Sequence, residues 1–119
     1  MDEGGGVMGY LGAFEQLILF SVVKLGEGAY GGAIREAIEE RTGRVVSSGA
    51  INTTLGRLAE RRLVRATVGD PSSGRVGRPR KYYALTPAGA RALRDSYSDI
   101  QAMAGDLLPQ VNTLTGEDS

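Results

Sequence analysis

The 119-residue chain has no cysteine, no histidine, no tryptophan and only two phenylalanines, and its acidic and basic residues balance. Without cysteine it has neither disulfides nor thiolate chemistry, which suits a reducing compartment, and the cytoplasm is the expected location. Without histidine as well, the usual general base and the soft metal ligands are missing, so no cofactor and no metal is expected. Long hydrophobic runs are also missing. The longest, Leu17 to Val23, stops at Lys24, far short of the ~20 residues that span a bilayer, and no membrane partner is expected. The opening MDEGGGVMG is acidic and glycine-rich, lacks the basic start of a signal peptide, and reads as a loose leader. The length suits one domain.

A net charge of zero conceals segregation. From Arg41 to Arg94 twelve basic residues face two acids, Glu60 and Asp70, a local excess of ten, and the flanks carry the compensating acids. Such a basic segment fits a polyanion engaged on one face of the molecule, although arginines also serve simply to solvate ordinary surfaces. The densest part is GRVGRPRKYY, Gly74 to Tyr83, with Arg75, Arg78, Arg80 and Lys81 in ten residues.

Hydrophobic spacing predicts three helices. In the first, Gly12 to Leu25, the stripe is Phe14, Leu17, Ile18, Val22 and Leu25, and Gly26 and Gly28 end it. The second runs from about Gly32 to Thr42, with Ile34, Ala37 and Ile38 inward, Arg35, Glu36, Glu39 and Glu40 outward, and Gly43 as its stop. Ser47 caps the third, which reaches about Arg61 and buries Ile51, Leu55 and Leu58.

The opposite face of this third helix carries Ser48, Gly49, Asn52, Thr53, Gly56 and Arg57. Glycine, asparagine and threonine are poor helix formers, and a merely solvating face would favour Glu, Lys and Gln. A helix that enters a DNA major groove needs little bulk and side chains suited to base edges, such as asparagine to adenine or a threonine methyl to thymine. Leu63 to Val68 and Lys81 to Leu85 alternate as half-buried strands, joined by the Gly/Pro/Ser-rich GDPSSGRVGRP as a long hairpin loop. The expected fold is therefore mainly α with a two-stranded β-wing, a winged helix-turn-helix whose wing bases Arg75, Arg78, Arg80 and Lys81 meet phosphate or minor groove.

Thr86 and Pro87 open a further helix, with Leu93, Tyr97, Ile100, Ala104 and Leu107 forming a seven-residue seam until Pro109 closes it. At about 22 residues it would span about 33 Å, more than so small a domain covers, so the seam is expected to pair with a second copy. Phe14 is added to that contact. The expected organisation is a leader over 1–11, the winged domain over 12–86, a dimerisation helix over 87–109 and a flexible tail over 110–119. A two-fold dimer would place two recognition helices on an approximately palindromic double-stranded operator.

Three motifs carry a family likeness: YGG at Tyr30 to Gly32, the VS…G…TLxRLxxRxLV run from Val46 to Val64, and GRPRKYYALTPAG from Gly77 to Gly89. Over Gly12 to Leu93 the chain resembles the PadR family of bacterial transcriptional regulators. The resemblance implies a homodimeric winged-helix repressor, dimerised by its C-terminal helix, often acting near its own gene and often released by a small-molecule inducer. The single C-terminal helix is similar to that of the small-size subfamily. Where the family's third helix usually carries a Tyr-Pro pair, this chain has Asn52-Thr53. Where small multidrug-binding members carry an aromatic residue, often tryptophan, it has Ile100, leaving Phe14, Tyr97, Ile100 and Met103 as candidates to line an apolar inducer cavity.

Two other function classes are weaker. GEGAYG, Gly26 to Gly31, satisfies G-x-G-x-x-G, but an amphipathic helix precedes it and no ribose-binding acid follows about twenty residues on. Ser47-Ser48-Gly49 has no base nearby, and Glu39-Glu40 lie on an outward face, so an enzyme is not expected. The alternative is a winged-helix protein-interaction module without sequence-specific DNA binding, for which the basic wing would have little use.

Overall fold

The computed structural model describes residues 10–69 and 79–117. Along the chain run α1 (Ala13–Leu25), a 3-10 turn (Gly26–Gly28), α2 (Gly31–Thr42), α3 (Ser48–Glu60), β1 (Val64–Val68), β2 (Lys81–Leu85), α4 (Pro87–Ala104) and α5 (Leu108–Leu114). Three helices, an antiparallel hairpin and a long following helix make a winged helix-turn-helix.

The core lies where α1, α2 and α3 meet, and its fully buried large side chains are Leu11, Ile18, Leu19, Ile34, Ile51, Leu55 and Leu58. Burying each contributes about 1.5–3 kcal/mol of hydrophobic stabilisation. Of the stripe predicted for α1, Ile18 and Val22 are buried, while Phe14, Leu17 and Leu25 pack half-buried at its edge. Leu19, outside that stripe, is also buried, because α1 is covered by α2 on one side and α4 on another. Leu11 departs from the expected leader as well. It is fully buried, its amide donates to Ser96 Oγ at 3.1 Å and its carbonyl accepts from Gln16 Nε2 at 3.0 Å, so the core begins before α1.

Local chemistry sets the helix ends. Gly43 closes α2 at φ 76°, a left-handed conformation cheap only for glycine, with its N–H on Glu39 O at 2.8 Å. Ser47 caps α3 by accepting from the Ala50 amide at 3.0 Å. At the other end of α3, Arg62 N–H bonds Ala59 O at 2.9 Å and Leu63 N–H bonds Leu58 O at 2.9 Å, with Arg62 left-handed at φ 62°. This double closure turns the chain sharply into β1 and returns Leu63 to the core beside Leu58.

β1 and β2 pair from Val64↔Leu85 to Val68↔Lys81. Only Val64 of β1 is buried, whereas β2 keeps Tyr82, Tyr83 and Leu85 half-buried and packs along α1 and the 3-10 turn. A third extended segment runs beside β2: Tyr30 bridges Tyr82, and the Tyr83 amide donates to Ala29 O at 2.8 Å. The connecting loop, with Arg75 and Arg78, falls at 70–78, outside the described residues.

The C-terminal region differs from expectation. Thr86 caps α4 by accepting from the Gly89 amide at 3.0 Å, but the helix ends at Ala104, not Pro109. Gly105 takes φ 49° and ψ −121°, which a residue with a Cβ rarely adopts, and a second helix runs from Leu108 to Leu114 where a flexible tail is predicted. Pro109 opens this helix, since a proline in the first turn lacks only an amide that has no intrahelical partner. At 18 residues α4 spans about 27 Å.

Candidate nucleic-acid interface

The outer face of α3 is assembled as the sequence predicts, with Ser48, Gly49, Asn52, Thr53, Gly56 and Arg57 all exposed. Ile51, Thr54, Leu55 and Leu58 anchor the opposite face. A Cβ added at Gly49 or Gly56 would meet nothing within 4 Å. Nothing within the described chain therefore requires glycine at these two positions, and each lowers helix stability by roughly 0.5–1 kcal/mol relative to alanine.

Asn52, Gly56, Arg80 and Lys81 line one groove of about 560 Å³ between α3 and the base of the wing, together with Tyr30 and Gly31. The geometry thus joins part of the predicted helix set to the two described wing bases. Ser48, Gly49, Thr53 and Arg57 lie on α3 outside this lining.

The groove floor explains two residues with no assigned role in the sequence reading. A Cβ on Gly31 would lie 3.0 Å from Asn52 Oδ1, so glycine there is what lets the asparagine fold back onto the start of α2. The Arg80 guanidinium stands 4.1 Å above the centroid of the Tyr30 ring, and Tyr30 meets Tyr82 edge-on with centroids 5.7 Å apart. Arg35, one turn beyond Gly31 on the same side of α2, is half-buried rather than outward, and its Nε has no hydrogen-bond partner among the described residues.

The basic excess is not all available to a partner. Arg61 turns inward, pairing with Glu15 at 3.3 Å and reaching the Tyr10 carbonyl at 3.4 Å, which ties the end of α3 to the start of α1. Arg94 pairs with Asp95 at 2.8 Å on α4. Burial pushes the Tyr83 phenol above its ordinary value, keeping it neutral beneath the wing.

The expected dimer seam divides. Leu93 is 5% exposed and packs in the domain's own core, so it is not available to a second copy, and Phe14 is half-buried against the same core. Ala104 is half-buried, whereas Tyr97, Ile100 and Leu107 are exposed, joined by Met103 at 75%. Phe20 of α1 extends this apolar band, edge-on to Tyr97 at 5.5 Å. Of the inducer-cavity candidates, Tyr97 lines a groove of about 610 Å³ with Leu17, Phe20, Ile38 and Arg41, and Phe14, Ile100 and Met103 lie outside that lining.

GEGAYG forms the 3-10 turn and the entry to α2 between two helices, not a strand-to-helix phosphate loop. Among the described residues no cluster of three or more acids could hold a metal ion, and no helix is long and apolar enough to cross a membrane.

The profile of the Transcriptional regulator PadR-like family matches residues 19–95, from α1 through the first half of α4. The chain belongs to the PadR family. It is a DNA-binding transcriptional regulator and not an enzyme. Among solved structures, a PadR family transcription regulator from Clostridium difficile is similar at 24% identity with a TM-score of 0.67, over 84% of this chain and 99% of that one. A PadR-like transcriptional regulator from Bacillus cereus gives 25% identity and 0.62, over 88% and 93%. A PadR family transcriptional regulator from Eggerthella lenta gives 25% identity and 0.59, over 87% and 84%. Comparison with curated proteins gives no match. For this PadR regulator the matched span includes α3 and both strands of the wing, and all of α5 lies beyond it.

Proposed function

We propose that the protein is a homodimeric repressor that reads an approximately palindromic operator, with α3 in the major groove and the wing on the adjoining backbone or minor groove. The observation that carries this reading is the groove in which Asn52 and Gly56 of α3 face Arg80 and Lys81 of the wing. A side chain suited to a base edge and two cations suited to phosphate open onto one surface, and Gly49 and Gly56 keep the helix low enough to approach. Two copies would meet through the exposed band of Tyr97, Ile100, Met103 and Leu107, apolar side chains that a second copy would take out of water. A small apolar inducer would act at this contact, on Phe14, Tyr97, Ile100 and Met103, by changing the separation of the two α3 helices.

The test is binding to duplex from upstream of the protein's own gene and to random duplex of equal length, across a salt series. The reading expects tighter binding to the first, symmetric protection of two half-sites, and affinities that fall steeply with salt on both. Equal, weak binding to both would instead favour a winged-helix module that contacts other proteins.

A further inference from the structure

We infer that Tyr30 is a positioning residue that holds Arg80 at the base of the wing and so fixes the wing relative to the recognition helix; the inference rests on the DNA-binding reading above. Arg80 stands just before β2, at the loop end of the described hairpin. Its carbonyl accepts from the Gly69 amide at 2.7 Å, and its neighbour Pro79 has no amide to donate. An exposed arginine anchored only by its carbonyl would sweep many rotamers, and ordering it on DNA would cost that freedom. Here the side chain is already directed, because the guanidinium lies 4.1 Å over the Tyr30 ring.

Tyr30 is itself well fixed. It caps α2 in an extended conformation, bridges Tyr82 of β2, and stacks edge-on against the Tyr82 ring at 5.7 Å. Gly32 permits this, since a Cβ there would lie 3.1 Å from Tyr30 Cε2. Gly31, between them, makes room for Asn52 of α3. Tyr30-Gly31-Gly32 therefore touches the wing through the tyrosine and the recognition helix through the first glycine. One rigid element sets the distance between the group expected to read bases and the cation expected to meet the backbone.

The Arg80 guanidinium supplies the charge, and Tyr30 gives that charge a direction. Removing the ring should cost binding while leaving net charge unchanged. A cation–π contact at a partly exposed site corresponds to about a two- to fivefold change in an equilibrium constant.

The experiment compares Tyr30→Leu, Tyr30→Phe, Arg80→Ala and the Tyr30→Leu/Arg80→Ala double variant on upstream and random duplexes, with melting temperatures for each. Two-dimensional NMR of the free protein follows the Arg80 Nε–H, which the ring current should shift upfield. The inference expects the upfield resonance in wild type and Tyr30→Phe and its loss in Tyr30→Leu. It also expects Tyr30→Leu to lose about two- to fivefold in affinity for the upstream duplex, Tyr30→Phe to bind as wild type, and Tyr30→Leu to add nothing once Arg80 is alanine. Full additivity of the two changes, or an unshifted Arg80 resonance in wild type, would overturn the positioning role while DNA binding stood. If Arg80→Ala leaves binding and its salt dependence intact, the wing reading itself fails and the inference falls with it.

Discussion

Replacing Gly56 by alanine should raise the stability of the protein and lower its affinity for DNA. The two signs come from different surroundings. In the free chain a Cβ at Gly56 meets nothing within 4 Å, the residue sits well inside α3, and its backbone is helical. Alanine there loses less conformational freedom on folding and should stabilise by roughly 0.5–1 kcal/mol. On DNA the same methyl group would stand in the groove shared with Asn52, Arg80 and Lys81. If α3 approaches a base edge or sugar as closely as the missing side chain allows, the methyl must push the helix outward. The cost of such overpacking is about 1–3 kcal/mol, which corresponds to roughly a 5- to 150-fold loss of affinity.

Urea denaturation supplies the first quantity, read as a higher midpoint at unchanged slope, and titration of the upstream duplex at fixed salt supplies the second. Gly49→Ala, near the N-terminus of α3, should follow the same pattern with a smaller gain in stability, because helix propensity matters less in the first turn. A Gly56→Ala protein that is more stable and binds as wild type would refute the close approach of α3 at this position. One that is less stable would show that the glycine is needed by the fold, contrary to the open space around it.

Gly89→Ala should behave in the opposite way. A Cβ there falls on the Leu63 carbonyl oxygen and crowds Leu85 Cδ1, so α4 must lift off the bend between α3 and β1, and urea denaturation should show about 2–4 kcal/mol of lost stability; a neutral effect would mean that α4 slides freely over that bend. Asn52→Ala should weaken binding to the upstream duplex by about 1–3 kcal/mol more than binding to random duplex, and equal losses on both would remove its base-reading role. Ile100→Glu should turn a dimer into monomers in sedimentation velocity without unfolding the domain, because Ile100 is half exposed in the single chain; a persistent dimer would place the contact elsewhere. The Tyr83 phenol is held above its ordinary value by burial, so its contribution to stability is complete below about pH 10, the unfolded value, and is lost as pH rises through the folded value. Tyr83→Phe should remove that part of the alkaline decline in melting temperature.

Much of the fold was legible because its signals are local. Ser47 and Thr86 precede their helices by one residue, and Gly43 follows its helix by one, so caps and stops sit beside what they terminate. The break at Gly105 was not legible, since the apolar spacing of Leu93, Tyr97, Ile100, Ala104 and Leu107 continues across it. The same spacing concealed that Leu93 belongs to the core while Ile100 faces outward, because one seam serves two contacts in turn. Leu11 falls in the expected leader because one leucine beside a glycine-rich stretch has no period, and its bond to Ser96, 85 residues away, is what reveals its place. The outer face of α3 could be read from composition. The contact between Tyr30 and Arg80 could not, as fifty residues separate them and the bridge to Tyr82 is what brings them together.

The glycines separate what the fold needs from what a partner needs. Gly31, Gly32 and Gly89 are each met by this chain's own atoms, from Asn52, Tyr30 and Leu63 respectively, and a side chain at any of them would disturb a contact already present. Gly26, Gly43 and Gly105 are required by backbone conformation, with φ between 49° and 76°. Gly49 and Gly56 satisfy neither condition. Their φ is helical, their surroundings are empty, and they lie on the helix face that also exposes Ser48, Asn52, Thr53 and Arg57. A glycine that the free protein would be more stable without is explained by something that fills the space in the bound state. In the proposed complex that occupant would be the edge of a DNA groove, reaching Gly56 in the groove it shares with Arg80 and Lys81, and the lower helix propensity of α3 would be the cost of letting it in.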